Sequence, residues 1–254
     1  MVEIEQFSCL SDNYGYLLHD PETHITCAID TPDAAAILDA LSRRGWSLTH
    51  ILNTHHHFDH AGCNIALKDQ TGCEIIGPAG EAGKIPGIDR AVDQGDIIHL
   101  GALTLHVLNV GGHTLGHIAY YLPDEKIAFV GDSLFALGCG RMFEGTPEQM
   151  WTSLSRLRDL PDDTLIYCAH EYTQSNAAFA LSVDPQNAAL QKRCAEIADL
   201  RAAGQPTVPS LLGLEKQTNP FLRPEDSHIQ EQIGLIGGDP VTVFAEIRRL
   251  KDHF

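Results

Sequence analysis

Basic residues and long apolar runs are both scarce in this sequence. Its 254 residues include 17 Lys and Arg against 34 Asp and Glu, which gives a formal net charge of -17. That balance disfavours a general affinity for nucleic acid or for an anionic membrane surface. No segment approaches the roughly 20 apolar residues of a membrane span. We therefore expect no transmembrane helix.

Paired cysteines and a secretion signal are missing as well. The seven cysteines are scattered and include no C-x-x-C pair, which argues against a disulfide framework and for a reducing compartment. The N-terminal M-V-E-I-E-Q-F carries acidic residues where a signal peptide needs a basic region. Together these absences predict a cytoplasmic protein.

The composition that is present, 43% hydrophobic and 20% charged residues, is typical of a well-packed globular enzyme. The first third alternates strand and turn signals, and it predicts a meander of strands at 2–8, 14–19 and 24–29. A helix is predicted to start with Thr31 as N-cap and Pro32 at its first position, and to stop at Gly45. A strand at 48–52 follows.

The second half first repeats strand signals, at 103–110, 118–122, 126–130 and 164–168, around a helix capped by Thr146. Beyond Glu171 helical signals take over. One helix is predicted from Asp184-Pro185 to Gly204, another from Asp239-Pro240 toward the end, with an ordered loop at 206–224 between them. We therefore expect a sheet domain over residues 1–170 and a helical domain over 171–254.

The segment T-H-H-H-F-D-H at 54–60 concentrates potential metal ligands: His55, His57, Asp59 and His60. Donors crowded together in this way repel or strand one another unless a cation neutralises them. In an extended chain His55 and His57 project to one side and His56 points away, so His56 is read as structural, as are His106 and His117. Asp59 and His60 follow as the chain enters a predicted helix at 61–70.

Three further donors, His113, Asp132 and His170, each follow a predicted strand end. Open α/β sheets place their sites in the loops at one end of the strands. Seven donors are too many for one tetrahedral zinc ion but suit two ions, one held by three His, with a carboxylate bridging them.

These motifs, T-H-H-H-F-D-H followed by G-H-T, G-D-S and a late His, resemble the metallo-β-lactamase superfamily. The resemblance implies an α/β fold, an αββα sandwich, here with a C-terminal helical domain. It also implies a division of the ligands between two metal ions. His55, His57 and His113 would hold one, and Asp59, His60 and His170 the other, with Asp132 bridging.

Other segments narrow the resemblance to the glyoxalase II (hydroxyacylglutathione hydrolase) family: S-D-N-Y-G-Y at 11–16, C-G-R-M-F-E-G at 139–145, A-H-E-Y-T at 169–173 and the closing R-R-L-K-D-H-F. The implied glutathione-binding residues are Arg141, Phe143, Tyr172, Asn176, Arg248 and Lys251. Two positions depart from the family pattern. Phe143 replaces a common Tyr and loses its hydroxyl, and Gly111 replaces Pro, which is expected to loosen the loop of His113.

The family resemblance implies hydrolysis of the thioester S-D-lactoylglutathione to D-lactate and glutathione, the second step of methylglyoxal detoxification. A hydroxide shared by two divalent metal ions would attack the carbonyl, with Asp59 and Asp132 as catalytic residues. Zinc is the expected metal, ahead of iron or manganese. The expected protein is a monomer without nucleic-acid or membrane partners. Glutathione carries carboxylates and therefore needs local cations on so acidic a protein, and Arg248 and Lys251 can supply them. Without the family resemblance, the spacing of these two residues would suggest an exposed helix face.

Three alternatives stay open on the sequence alone. A mononuclear iron dioxygenase acting on glutathione persulfide shares the fold, but the helical C-terminal domain with Arg248 and Lys251 resembles the hydrolase. An RNA-processing nuclease is disfavoured by the net charge of -17. A non-catalytic metal-binding module is disfavoured because all seven ligand positions are intact.

Overall fold

The computed structural model describes residues 2–254 and divides into two compact units. The first contains residues up to 109 and residues 115–131, and the second contains residues 110–114 and 132–254. Both units mix strands with helices, and most helices follow residue 146.

A six-stranded mixed sheet dominates the first unit. Its strands lie side by side in chain order: β1 (Glu3–Cys9), β2 (Asn13–Asp20), β3 (Ile25–Ile29), β4 (His50–Leu52), β5 (Glu74–Pro78) and β6 (Arg90–Val92). The first three pair antiparallel, which confirms the predicted meander, and β3 to β6 pair parallel. Parallel strands end at the same edge of a sheet, so the segments that follow β3 and β4 emerge together.

An antiparallel sheet and three helices complete the first unit. The sheet contains β7 (Ile97–Leu100), β8 (Leu103–Asn109), β9 (Ile118–Leu122) and β10 (Ile127–Gly131), and the helices are α1 (Ala34–Arg44), α2 (Phe58–Ala61) and α3 (Asn64–Thr71). Leu17 of β2 packs in one buried cluster with Ile37 of α1, whereas its neighbour Tyr16 contacts the ring of Phe129 in β10. Adjacent strand residues face opposite sides, so helices cover one face of the first sheet and the second sheet covers the other.

Two helix starts in this unit differ from the prediction. Asp33, not Thr31, caps α1, because the Thr31 hydroxyl donates to Asn64 Oδ1 at 2.8 Å and its N–H to His60 O at 2.8 Å. In place of the single helix predicted at 61–70 there are two helices, α2 and α3, separated by Gly62 and Cys63. The same Thr31 contacts hold both sides of this break, a long-range arrangement that local helix signals do not contain.

The second unit is mainly helical. It contains the two-stranded ribbon β11 (Leu134–Phe135) and β12 (Gly138–Cys139), the pair β13 (Leu165–Cys168) and β14 (Ser210–Leu211), and six helices: α4 (Pro147–Arg158), α5 (Thr173–Val183), α6 (Ala188–Ala202), α7 (Leu212–Thr218), α8 (Ser227–Gln232) and α9 (Pro240–Asp252). The predicted capping box of Thr146 and Gln149 is confirmed at α4. Asp239 caps α9 as predicted.

Two predictions in this unit were wrong. α6 begins after Asn187 rather than at Asp184-Pro185, because the Asp184 carboxylate accepts from Asn187 Nδ2 at 2.8 Å and pairs with Arg223. The predicted loop at 206–224 contains α7, whose Glu215 and Thr218 are fully buried. Prolines at both ends of this segment made the sequence suggest a loop, although residues between them form a helix.

Within residues 2–254 the longest helices fall short of the length and apolar character that a membrane-spanning helix needs. All seven cysteines are free thiols.

Candidate functional site

The first unit brings together the four donors predicted in the segment that follows β4. His55 Nε2 and His57 Nδ1 lie 3.0 Å apart, and His60 Nε2 lies 3.5 Å from Asp59 Oδ2. The rings of His55 and His60, both almost fully buried, have centroids 4.0 Å apart. Buried imidazoles and a carboxylate at this spacing form a donor cluster suited to metal ions.

Asp30 sets which nitrogen of each buried imidazole faces the cluster. His60 Nδ1 lies 2.8 Å from Asp30 Oδ2, so it carries the proton that the carboxylate accepts. The Thr54 hydroxyl donates to the same oxygen at 2.8 Å, so it can only accept from His55 Nδ1 at 3.1 Å. Both Nε2 atoms are thereby left as lone-pair donors, the tautomer that a metal ligand needs.

His56 points away from this cluster, in agreement with the prediction. Its Nδ1 lies 2.6 Å from Glu81 Oε2, which also accepts the His56 N–H at 2.8 Å. The other oxygen of Glu81 accepts the Gly116 N–H at 2.9 Å. Buried Glu81 therefore fixes the backbone between His55 and His57. His117, also read as structural, stacks on the ring of His55 with centroids 4.5 Å apart.

The second unit brings together the three remaining donors. One Asp132 oxygen lies 3.4 Å from His113 Nε2 and the other lies 3.3 Å from His170 Nε2. Two ligands bound tetrahedrally at about 2.0 to 2.1 Å from one ion lie about 3.3 to 3.4 Å apart. The distances thus fit donors that could share a metal ion, and the donor chemistry suits divalent metals.

The loop of His113 is firmly held despite Gly111. Ser153 donates its hydroxyl to Gly111 O at 2.6 Å, and Phe143 donates its N–H to His113 O at 3.1 Å. His113 Nδ1 lies 2.8 Å from Arg141 O, which fixes the tautomer with Nε2 toward Asp132. These contacts restrain the loop where the expected proline is missing. They also use the Phe143 N–H, so its backbone can offer only a carbonyl to a ligand.

A cavity of about 510 Å³ opens in the second unit, a volume typical of small-molecule sites. His113 and Asp132 form part of its wall. All six residues predicted to bind glutathione also line it: Arg141, Phe143, Tyr172, Asn176, Arg248 and Lys251. Metal donors and predicted substrate contacts therefore share one cavity.

The aromatic residues of the cavity are organised around the imidazoles. Tyr172 stacks on His170 with ring centroids 4.7 Å apart and planes only 2° apart. Phe143, which is 63% exposed, meets His113 edge-on at 5.1 Å. Asn176 is buried and donates its amide to Ala136 O at 3.1 Å, which ties it to the β11–β12 ribbon.

The predicted cations differ sharply in accessibility. Arg248 is buried, donates to Cys139 O at 2.9 Å and pairs with Asp252 at 2.8 Å. Lys251 donates to Ser175 O at 3.2 Å, and burial, then the charges of Arg248 and Arg141, lower its pKa to about 8. The Arg141 side chain is 66% exposed, with Nε 3.8 Å from Asp252. The guanidinium of Arg248 thus contacts protein groups, whereas the sequence suggested that it binds glutathione directly.

Sequence reasoning missed Asp30, Glu81 and Asp252. Asp30 directly follows β3 and stands at the same sheet edge as the His segment, so its position was the one available signal. Glu81 carries no local pattern, because its partners His56 and Gly116 are distant in the chain. Asp252 lies in the closing R-R-L-K-D-H-F segment, but its partner Arg248 belongs to what looks like an ordinary helix face.

Two family models together match residues 26–254. The metallo-beta-lactamase superfamily model matches residues 26–170, and the model of the hydroxyacylglutathione hydrolase C-terminus matches residues 171–254. They confirm the predicted metallo-β-lactamase fold with its helical C-terminal domain.

Full-length relatives share more than half of the residues. A hydroxyacylglutathione hydrolase from Ruegeria pomeroyi is 57% identical over 253 residues, 100% of this chain and 99% of that protein. Another from Maricaulis maris is 55% identical, over 99% and 98% of the two chains. The crystal structure of ETHE1 from Myxococcus xanthus has a TM-score of 0.68 and 27% identity, over 98% of both chains.

Proposed function

The chain belongs to the hydroxyacylglutathione hydrolase family, and from that membership we propose that it hydrolyses S-D-lactoylglutathione and related S-2-hydroxyacylglutathiones. Water adds to the thioester carbonyl and the C–S bond breaks, giving D-lactate, glutathione and one proton. Coupled to the formation of such thioesters, this step completes methylglyoxal detoxification. One observation carries the proposal: metal donors His113 and Asp132 line the same cavity as the charged side chains of Arg141 and Lys251.

We propose that the seven predicted donors bind two divalent ions, with zinc preferred to iron or manganese. His55, His57 and His113 would hold the first, and Asp59, His60 and His170 the second, with Asp132 bridging. When bound, such ions lower the pKa of coordinated water to about 7 and polarise a carbonyl. The catalytic domain would span residues 1–170 and the glutathione-binding domain 171–254.

The chain's own residues prepare this chemistry. Asp30 holds the lone pairs of His55 and His60 toward the cluster, and Arg141 O does the same for His113. Aromatic faces of Phe143 and Tyr172 border the cavity next to the donors and would exclude water around the thioester. The departing thiolate of glutathione, with a free thiol pKa near 8.5, needs no protein acid.

Seven free cysteines, five of them buried, suit a reducing compartment. We propose on that basis that the protein acts in the cytoplasm. We also propose that it is a monomer.

The function is tested by following loss of the S-D-lactoylglutathione thioester with purified protein whose metal content has been measured. Two metal ions per chain and rapid thioester loss are the expected result, and chelation should abolish it. The matched control is oxygen uptake with glutathione persulfide. Oxygen consumption without thioester loss would replace the hydrolase with the dioxygenase alternative.

The proposal also predicts a pH dependence that originates at Lys251. The lowered pKa of about 8 means that its charge is present below pH 8 and lost above it. If the charge binds a substrate carboxylate, kcat/KM should fall by up to about tenfold between pH 7 and pH 9.

The variant Lys251→Arg isolates this contribution, because guanidinium stays charged throughout that range. In initial-rate measurements with the same thioester, we expect the variant to keep at pH 9 the activity that the natural protein loses there. Identical alkaline limbs for both proteins would assign the pH dependence to the substrate or to another group.

A further inference from the structure

Besides the candidate metal donor Asp132, three charged side chains that are not fully buried line the cavity: Arg141, Lys251 and Asp252. Arg248 also lines it, but only 5% of its side chain is exposed and its guanidinium contacts protein groups. Two cations and one anion therefore remain available to a ligand. Glutathione carries the complementary set, two carboxylates and one ammonium.

We propose that Asp252 is a specificity-determining residue that binds the α-ammonium of the substrate's γ-glutamyl group. Arg141 and Lys251 then bind the two carboxylates. This inference rests on the proposed hydrolysis of glutathione thioesters. It identifies the α-ammonium as the group that distinguishes glutathione thioesters from thioesters that carry only anionic groups.

The surroundings of Asp252 suit a binding role. Arg248 anchors its Oδ1 at 2.8 Å, and within residues 2–254 no hydrogen bond or ion pair engages Oδ2. The side chain is 39% exposed. One oxygen is thus fixed by the protein while the other can accept from a ligand, which lowers the entropy lost on binding.

Arg248 consequently acts as a positioning residue. Its guanidinium joins Asp252 to Cys139 O, 109 residues earlier in the chain, and its plane lies over the Phe221 ring at 5.1 Å. This charge-assisted contact fixes the orientation of the Asp252 carboxylate at the cavity wall.

The test compares S-D-lactoylglutathione with the same thioester acetylated on the γ-glutamyl nitrogen, which removes the positive charge. For the natural protein we expect acetylation to lower kcat/KM about 10- to 100-fold, the range for a hydrogen bond between charged groups. Asp252→Asn should lose a similar factor on the free amine and change little on the acetylated substrate. Discrimination between the two substrates would then largely disappear.

The matched control is Glu246→Gln, a carboxylate on the same helix that pairs with Arg249 and lies outside this cavity. It should preserve the discrimination. Equal losses on both substrates in Asp252→Asn would overturn the proposal and leave Asp252 as a support for Arg248. Absence of hydrolysis of either thioester by the natural protein would instead refute the proposed function itself.

Discussion

Replacing Asp132 by Asn should lower kcat for thioester hydrolysis by about a thousandfold or more, because a metal ion that acts as a Lewis acid contributes several kcal/mol to catalysis and the variant is expected to lose one ion. Each oxygen of this carboxylate faces a different imidazole, at 3.4 Å and 3.3 Å. An amide offers one good donor oxygen and no negative charge. The metal content of the variant should therefore fall from two ions per chain toward one.

The experiment combines initial rates with metal analysis of the same preparation. Asp124→Asn, at an exposed turn position, controls for the loss of one negative charge and should leave both quantities unchanged. A thermal scan of each variant excludes unfolding as the cause. Near-normal turnover in Asp132→Asn with two bound ions would refute the bridging role.

Replacing Glu215 by Ala should lower the free energy of unfolding by about 3 to 5 kcal/mol, the cost of leaving one member of a buried ion pair alone. Glu215 is fully buried and pairs with Arg193, which is 5% exposed. It also accepts the Leu137 N–H at 2.9 Å and the Asn219 amide at 3.1 Å. The substitution leaves a buried guanidinium without its carboxylate and the Leu137 N–H without its acceptor.

Urea unfolding of the metal-loaded protein measures this effect. The matched control is Glu196→Ala on α6, because Glu196 pairs with Lys192 at 3.7 Å with both side chains largely exposed. That change should cost less than about 1 kcal/mol. A similarly small effect at Glu215 would mean that water or a rearranged Arg193 replaces the lost carboxylate.

The buried network also explains why part of the fold was not predictable. Glu215 looks like an ordinary charged residue between prolines, and the sequence therefore suggested a loop at 206–224. Its partners Arg193 and Leu137 lie 22 and 78 residues away. Local propensities cannot represent such contacts, whereas the cap of α4 at Thr146 depends on three neighbouring residues and was predictable.

The same division applies at the candidate site. The spacing of His55 and His57 and the strand ends before His113, Asp132 and His170 are local properties, so the sequence predicted all seven donors. Where the side chain of Arg248 lies depends on Cys139, 109 residues away. The sequence suggested that Arg248 binds a carboxylate of the substrate, whereas the fold buries its side chain against Asp252.

The sequence by itself therefore determined the candidate donors, the caps of α4 and α9 and the family, because each depends on residue types at short, fixed spacing. Only the tertiary structure decided which imidazole nitrogens are left as lone-pair donors and which charged groups line the cavity. Burial and long-range hydrogen bonding set both. In that way they single out Asp30, which no quoted motif contains, and Asp252, whose role the closing R-R-L-K-D-H-F segment does not reveal.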